Sequence, residues 1–337
     1  MRIVVALGGN ALLMRGERAD ASVQLHHVEA AARALAPLAA EHELVVCHGK
    51  GPQIGLLALE SEADPSLTRP YPLDTLGAET QGMIGYWLAQ SLRNAGVRKP
   101  ILAVVTQTVV DAADPAFAAP TKFIGRIYDR AQADRLAKQN GWTMAEDGPH
   151  WRRVVPLPEP LRLVEQESIE QLVASGTIVV CAGGGAPVVD NGQLRGVEAV
   201  VDKDLTSAGL AIALKADRLL LLTDVAAVMT DFGMPDAEPL RHLDLEAALR
   251  TSSGRNRSGR SPRWTASRMS FTKRLMWAPP VEAGCRLPSQ RWYRGLREVE
   301  FVPARSVCAR PSPDREGGDR PIVRYVSCGS GLVISSK

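Results

Sequence analysis

Glycines cluster at three points of the sequence, and each cluster directly follows an apolar run. Gly8-Gly9-Asn10 follows IVVAL, Gly49-Lys50-Gly51 follows LVVCH, and Gly183-Gly184-Gly185 follows TIVVCA. A glycine at a strand end lets the backbone pass close to a ligand and leaves amide groups free to face it. When a helix follows, its N-terminus adds partial positive charge, which favours phosphate. The three clusters together predict an anion-binding site.

Each cluster taken alone has a second explanation, because tight turns between a strand and a helix need glycine for steric reasons. Three clusters, with Lys50, Lys122 and Lys203 near turns, favour the anion site. The sequence contains no G-x-x-x-x-G-K-[ST] motif, so a P-loop is not indicated. It also lacks a G-x-G-x-x-G motif with an acidic residue after the next strand, which argues against a dinucleotide site.

The elements that must position these residues alternate regularly over residues 1–250. Strand-like runs alternate with helical segments, and the runs are IVVAL, LVVCH, ILAVVTQTVV, TIVVCAGG and RLLLLTD. Near-continuous apolar strands that alternate with helices predict an α/β fold, in which a parallel sheet is covered on both faces. Ligands bind such sheets at the carboxyl ends of the strands. All three glycine clusters fall at those ends.

Two parts of the chain differ from this pattern. Residues 111–160 are rich in Pro, Trp, Lys and Arg and are too long for a plain loop, so we predict an inserted, protruding subdomain within a domain of residues 1–249. Residues 1–250 carry 23 Lys and Arg against 31 Asp and Glu, whereas residues 251–337 carry 17 against 6. The basic tail, residues 250–337, is rich in Ser, Arg and Pro without an apolar period, and we predict that it is poorly ordered.

The bulk properties favour a cytoplasmic protein that does not enter a membrane. The apolar fraction of 45% and the charged fraction of 23% are ordinary for a globular protein. Five cysteines without C-x-x-C spacing indicate reduced thiols rather than a disulfide framework. The N-terminal apolar run is too short for a signal peptide, and we find no apolar stretch long enough to span a membrane.

Eight motifs occur in order along the first 250 residues: VVALGGNALL, HGKGPQIG, PLDTLGAETQGMIGYWL, PTKFIG, WRRVVPLPEP, CAGGGAPVV, GVEAVVDKDLTS and LLTDV. In these motifs the chain resembles the carbamate kinases of the amino acid kinase superfamily. The resemblance implies a three-layer α/β/α sandwich with a mainly parallel, doubly wound sheet, and a homodimer. It also implies reversible phosphoryl transfer, ATP + carbamate = ADP + carbamoyl phosphate, with Mg²⁺ accompanying the nucleotide, in fermentative catabolism of arginine or related carbamoyl compounds.

The resemblance also implies roles for individual residues. Lys122 would reach the site from the inserted subdomain, Lys203 would contact the ATP phosphates, and Asp204 would orient Lys203. The implied phosphate- and substrate-binding residues are Gly8, Gly9, Asn10, Gly49, Lys50, Gly51, Gly183, Gly184 and Gly185, and the implied nucleotide-binding residues are Lys203, Thr223, Asp224 and Val225. No side chain is predicted to bind a metal directly. Carbamate is already an anion, so the transfer requires charge neutralisation and alignment rather than a general base.

Each of these roles has a structural alternative. Lys122 could be a solvated loop lysine, and Asn10 could cap a helix. Lys203 and Asp204 could form a charge pair at a helix N-terminus.

Two departures from the family pattern bear on activity. The family usually has asparagine at the position of Lys50. After LLTDV it continues with a Gly-Ser-Met-x-Pro-Lys motif, whose lysine contacts the ATP phosphates, and the basic tail replaces that motif. A change of reading frame near residue 250 would account for the tail. The chain could then be a catalytically impaired homologue.

Two other functional classes stay open. The basic tail could bind nucleic acid, although its charges are scattered among Pro and Gly with few aromatic residues between them. A kinase for an acylated amino acid is a further alternative, against which PTKFIG and WRRVVP argue.

Overall fold

A computed structural model of the chain describes residues 1–14, 16–223, 228–229, 239–240, 298–303 and 332–335, and all structural statements concern these residues. The strands are β1 (Arg2–Leu7), β2 (Glu43–His48), β3 (Ile101–Val104), β4 (Gln107–Val110), β5 (Lys122–Tyr128), β6 (Thr143–Asp147), β7 (His150–Val155), β8 (Pro160–Leu163), β9 (Ile178–Ala182), β10 (Ala186–Asp190), β11 (Leu194–Gly196), β12 (Arg218–Thr223), β13 (Val228–Met229), β14 (Pro239–Leu240), β15 (Glu298–Pro303) and β16 (Leu332–Ser335). The helices are α1 (Gly9–Leu12), α2 (Ala21–Glu41), α3 (Gly51–Ala63), α4 (Leu73–Asn94), α5 (Arg130–Asn140), α6 (Gln166–Ala174) and α7 (Lys203–Ala213), with a 3₁₀ turn at Pro115–Phe117.

A central sheet of seven described strands has the order β16-β15-β12-β1-β2-β9-β3. All neighbours are parallel except β15 and β16, which are antiparallel. Alternate strand residues face opposite sides, as Val4 and Val5 illustrate. One face packs on α6 and α7, and the other packs on α2 and α4. The predicted α/β fold, with a mainly parallel sheet between two helical layers, is confirmed.

The apolar run ILAVVTQTVV forms two strands in different sheets rather than one. β3 ends at Val104, and β4 begins at Gln107 in a second sheet of order β11-β10-β4-β8. Thr106 lies at the break, where its backbone N–H donates to Gln81 Oε1 at 2.7 Å. The fully buried Gln81 side chain from α4 therefore replaces a ladder hydrogen bond and turns the chain.

The predicted inserted stretch contains regular structure. β5, β6 and β7 form an antiparallel sheet of order β5-β7-β6, and α5 packs against it through a small core around Tyr128 and Leu136. Ile124 and Val155 bury their side chains against α3 and α4, in a cluster with Ile54 and Leu76. This cluster attaches the three-stranded sheet to the main body. The boundaries at 111, 160 and 249 stay predictions.

Two stretches of the basic tail form strands at the edge of the central sheet. β15 pairs with β12 in parallel, and β16 pairs with β15. The sequence analysis predicted a poorly ordered tail, and this does not hold for EVEFVP and LVIS. Both runs contain β-branched residues, which fit a strand beside the apolar β12. The other residues of the tail, including the predicted frame change near residue 250, lie outside the described residues.

The described helices include none that is long and apolar enough to cross a membrane.

Leu88 tests the packing of α4 on the central sheet. Its side chain is fully buried, whereas Leu161 on β8 is 51% exposed. We expect Leu88→Ala to lower the free energy of unfolding by about 2–5 kcal/mol, because a buried cavity remains. Leu161→Ala, the matched control, should change it by less than about 0.5 kcal/mol. Urea titrations followed by circular dichroism measure both values, and equal losses would contradict the assigned burial.

Candidate functional site

The parallel register brings the three glycine clusters to one edge of the central sheet. Leu7 pairs with His48 and with Leu222, and His48 pairs with Ala182, so β1, β2, β9 and β12 end at the same level. Each glycine cluster begins at the residue that directly follows its strand. The predicted common edge is therefore present.

The backbones of these turns are in close contact. Gly49 N–H donates to Leu7 O at 2.7 Å, and Gly8 N–H donates to Leu222 O at 3.0 Å. A methyl group on Gly49 would lie 2.6 Å from the Gly9 nitrogen. Glycine is therefore needed at position 49 for steric reasons. The Gly8 amide already donates to Leu222 O and is not free to bind a ligand. Among the described residues, no acceptor pairs with the Gly9 or Gly51 amide, and these two remain available for an anion.

Lys203 lies against all three glycine turns. A methyl group built on Gly8, Gly49 or Gly183 would approach the Lys203 side chain to 3.9, 3.1 or 2.9 Å, respectively. Lys203 is the first residue of α7, whose N-cap residue Asp202 accepts hydrogen bonds from two backbone amides of the first turn. The cap fixes the first residue of α7, and this places Lys203 at the edge of the sheet.

Lys203 forms an ion pair with Asp204, the next residue of α7. The Lys203 Nζ donates to Asp204 Oδ1, and the two side chains are 21% and 16% exposed. Burial raises the pKa of Asp204, and Asp202 acts in the same direction, whereas the charges of Lys203 and Lys122 oppose it. The ion pair matches the predicted orienting role of Asp204, which stays a prediction.

Lys122 approaches the site from a different element. It is the first residue of β5, pairs with Val155 of β7, and is partly buried. Its charge acts on the carboxyl of Asp204, where it opposes the rise in pKa that burial causes. The inserted sheet therefore brings a second cation towards the Lys203–Asp204 pair, although its catalytic role is still a prediction.

Lys50 directs its amine towards backbone carbonyls. Its Nζ donates to Gly185 O and, at 3.3 Å, to Gly77 O of α4. Burial lowers the pKa of Lys50 to about 7. The sequence analysis predicted that Lys50 faces phosphate, whereas its amine lies between α4 and the third glycine turn. Gly77 O accepts one of these two hydrogen bonds, and no feature of the sequence had indicated Gly77 as a site residue.

The third glycine turn is held by threonines that the sequence analysis did not identify. Gly185 has a φ of +56°, and a methyl group there would overlap Thr108 Oγ1. Thr108 Oγ1 donates to Gly184 O at 3.0 Å, and Ala186 N–H donates to Thr106 O at 2.8 Å. The sequence feature that could have indicated these contacts is the presence of two polar threonines within the apolar run ILAVVTQTVV.

The remaining predicted residues stand at or beyond the limits of the described region. Asn10 is the second residue of α1, which follows β1, and Thr223 is the last residue of β12, so both lie near the same edge of the sheet. Asp224 and Val225 lie outside the described residues. Their predicted contacts with the nucleotide stay predictions.

His48 ends β2 beside the site but offers little chemistry. It is 1% exposed, and its Nδ1 finds no hydrogen-bond partner in the part of the chain that the structure describes. Burial, with help from the charge of Lys50, lowers the pKa of His48 to about 3. The imidazole is therefore neutral at physiological pH.

The described residues contain no group of three or more His, Cys, Asp and Glu side chains that could hold a metal ion. Asp204, the acidic side chain among the glycine turns, is paired with Lys203. A divalent cation at this edge would therefore depend on oxygens of a bound ligand.

Free amides at strand ends, a capped helix start and two converging lysines form, in this α/β protein, an arrangement suited to an anion such as phosphate. The sequence profile of the Amino acid kinase family matches residues 1–263. The chain belongs to this family, and it is accordingly an enzyme of the phosphotransferase class.

Curated relatives include a carbamate kinase of Rhizobium meliloti, 50% identical over 246 residues, which span 71% of this chain and 76% of the relative. A carbamate kinase of Thermococcus kodakarensis is 45% identical over 260 residues, with 74% and 82% covered. Among solved structures, carbamate kinase from Giardia lamblia bound to AMP-PNP aligns with a TM-score of 0.68 and 38% identity, covering 74% of this chain and 82% of that chain.

Gly49 and Gly51 provide a matched test of the close backbone contact. A methyl group on Gly49 would meet the Gly9 nitrogen at 2.6 Å, whereas one on Gly51 has nothing within 4 Å. We expect Gly49→Ala to cost about 1–3 kcal/mol of unfolding free energy, because the backbones must separate. Gly51→Ala, at the start of α3, should cost nothing measurable. Thermal unfolding compares the two, and a stable Gly49→Ala variant would contradict the packing of these turns.

Proposed function

We propose that this protein is a carbamate kinase, which transfers a phosphoryl group between ATP and carbamate. The observation that carries the proposal is the contact of one side chain, Lys203, with all three glycine turns. The relatives from Rhizobium meliloti and Thermococcus kodakarensis support the choice of substrate. The Giardia lamblia enzyme bound to AMP-PNP supports ATP and ADP as the nucleotides.

The proposed mechanism rests on alignment and charge neutralisation. Phosphoryl transfer requires little covalent chemistry from the protein, and carbamate needs no deprotonation before it attacks. The amides of Gly9 and Gly51 would hold the transferring group, aided by the N-terminus of α3. Lys203 and Lys122 would neutralise charge on the phosphates, and Asp204 would keep Lys203 aligned.

The nucleotide would lie beyond the end of β12. Thr223 ends this strand at the edge that carries the glycine turns, which supports its assignment to the nucleotide side, and the proposal extends to the next two residues in sequence, Asp224 and Val225. Mg²⁺ would accompany the nucleotide and screen its phosphate charges. The ligands would then be phosphate oxygens and water, in keeping with the paired state of Asp204.

The proposal extends to the physiological setting. The reaction would run towards ATP during fermentative breakdown of arginine or a related carbamoyl compound, in the cytoplasm. Cysteines without disulfide spacing support the reducing compartment.

Lys203 provides the direct test of the proposed activity. Purified protein should form ATP from carbamoyl phosphate and ADP with Mg²⁺, and Lys203→Ala should lower the rate on the order of 10²–10³-fold, because a charge-neutralising group is lost from the transition state. Lys138→Ala removes an exposed lysine from α5 and should leave the rate unchanged.

Folded protein that forms no ATP would contradict the proposal. It would favour the alternative, an impaired homologue that lacks the lysine motif replaced by the basic tail.

We further propose that two copies associate through β3. This strand is the last in the central sheet, so one side of its backbone has no partner strand within the described residues. Leu102 and Val105 are 45% and 47% exposed, and Tyr86 of the adjoining α4 is 59% exposed. An unpaired apolar edge strand is a template for pairing with another chain. A second copy would cover this surface and extend the sheet.

Leu102→Asp tests the proposed homodimer. A charge on β3 should reduce the molar mass measured by light scattering towards that of one chain, since a buried unpaired carboxylate opposes association. Leu194→Asp alters an exposed leucine of β11, and its mass should match that of the unmodified protein. Unchanged association of Leu102→Asp would place the interface elsewhere.

A further inference from the structure

The amine of Lys50 has an unusual set of neighbours within the proposed site. Its Nζ donates to two carbonyl oxygens, those of Gly77 and Gly185. Within the described residues, no carboxylate forms an ion pair with Lys50. A neutral amine has two N–H donors and one lone pair, so two carbonyl acceptors suit it and leave the lone pair directed elsewhere.

The charged groups around Lys50 do not compensate an ammonium ion. Lys203, on the other side of the glycine turns, takes the carboxylate of Asp204. His48 precedes the turn on β2 and is neutral, because burial lowers its pKa to about 3. Asp74 of α4 lies against Gly196 of β11. On the β4 side the neighbours of Gly185 are the uncharged Thr106 and Thr108.

The surroundings of Lys50 therefore favour the neutral amine. Burial lowers its pKa to about 7, so about half of the amines are neutral at neutral pH. An ordinary lysine, with a pKa near 10.4, is neutral in roughly one molecule in 10³ at that pH. A lysine that is desolvated in this way is an activated nucleophile.

The amine also lies beside the third glycine turn. Gly183 to Gly185 are among the phosphate- and substrate-binding residues that the family resemblance implies, and Lys50 contacts Gly185 O directly. Gly184 is also near, since a methyl group built on it would lie 3.9 Å from Lys50 Cε. Attack by this amine requires carbamoyl phosphate to bind along the glycine turns with its carbonyl carbon towards Lys50.

We propose that Lys50 is a site of covalent carbamoylation by carbamoyl phosphate bound in the active site. This inference rests on the proposed function, because it requires carbamoyl phosphate to bind at the glycine turns. Asparagine, the residue usual in the family at this position, has no nucleophilic amine, so the modification is particular to chains with lysine there.

The reaction is a simple acyl transfer in which atoms and charge balance. The Nζ lone pair forms a bond to the carbonyl carbon, and the bond from that carbon to the bridging oxygen breaks. The phosphate leaves and takes the proton that the amine loses. Lys–NH₂ and H₂N–CO–OPO₃²⁻ give Lys–NH–CO–NH₂ and HPO₄²⁻, with no change of oxidation state.

The product alters the site. The urea group is uncharged and larger than the amine, and it cannot keep both carbonyl contacts in the same geometry. We expect the modified enzyme to lose activity, because the turn at Gly185 is held partly by this side chain. Activity should fall in step with the fraction of Lys50 modified.

The experiment incubates the full chain with carbamoyl phosphate and maps the modified lysines by peptide mass spectrometry. The exposed Lys138 serves as an internal comparator. A parallel sample receives cyanate, which carbamoyl phosphate releases in water and which needs no binding site. We expect the ratio of Lys50 to Lys138 labelling to be on the order of tenfold higher with carbamoyl phosphate than with cyanate. Equal ratios would overturn the proposal, since labelling would then come from free cyanate.

A second measurement uses pH and a variant. Labelling of Lys50 should rise from about pH 6 to about pH 8 and then level off, whereas Lys138 labelling should keep rising, since its amine is ordinary. Lys50→Asn should retain its residual activity during incubation, while the unmodified chain loses activity over the same time. Equal rates of loss in the two proteins would overturn the proposed inactivation.

ATP formation, assayed as an initial rate on the same preparation before the labelling incubation, separates this inference from the proposed function. Active protein without a Lys50 adduct overturns only the inference. Protein that is labelled selectively at Lys50 but forms no ATP overturns only the kinase activity. Protein that does neither overturns both.

Discussion

The contact between three backbone turns around one lysine is the constraint on which the site depends. Parallel pairing ends β1, β2, β9 and β12 at one level, so the turns that follow must share a small space. Gly49 against Gly9 leaves no room for a side chain, and the space that remains is taken by Lys203. The same crowding brings the free amides of Gly9 and Gly51 together. Steric need and anion binding, which the sequence presented as competing explanations of the glycines, are two results of one arrangement.

The lysines of the site differ in their electrostatic surroundings. Lys203 has a carboxylate partner, and Lys122 arrives on a separate three-stranded sheet whose attachment depends on a small apolar cluster. Within the described residues the Lys50 amine contacts carbonyl oxygens rather than a carboxylate, and burial lowers its pKa. Residues of one type and one formal charge therefore have different chemistry, because burial and partners are set by the elements around them. The ion-paired Lys203 would suit a phosphate, whereas the desolvated Lys50 would suit other reactions.

The sequence allowed the fold class and the common edge to be predicted because both follow from local patterns. Apolar runs with glycine at their ends identify parallel strands, and their alternation with helical segments identifies the two helical layers. The amine position of Lys50 could not be predicted, since Gly77 and Gly185 are distant in sequence. The break of ILAVVTQTVV into two strands depends on Gln81, a residue of α4. Helix α3 was not predicted, because its apolar residues show little helical periodicity. Strands β15 and β16 were not predicted, because the prediction for the tail rested on its high content of Ser, Arg and Pro rather than on the short runs EVEFVP and LVIS.

The central position of β1 has a consequence for how the chain acquires its fold during synthesis. The first strand to be made lies between β2 and β12, and its N-terminal residue Arg2 pairs through hydrogen bonds with Asp217, 215 residues later. At about 5–20 residues per second, a ribosome leaves one side of this apolar strand open for on the order of ten seconds or more. The long-range pairing also adds loop-closure entropy, which slows folding. Nascent chains of this protein thus have a prolonged need for protection from aggregation, which ends only when β12 is released.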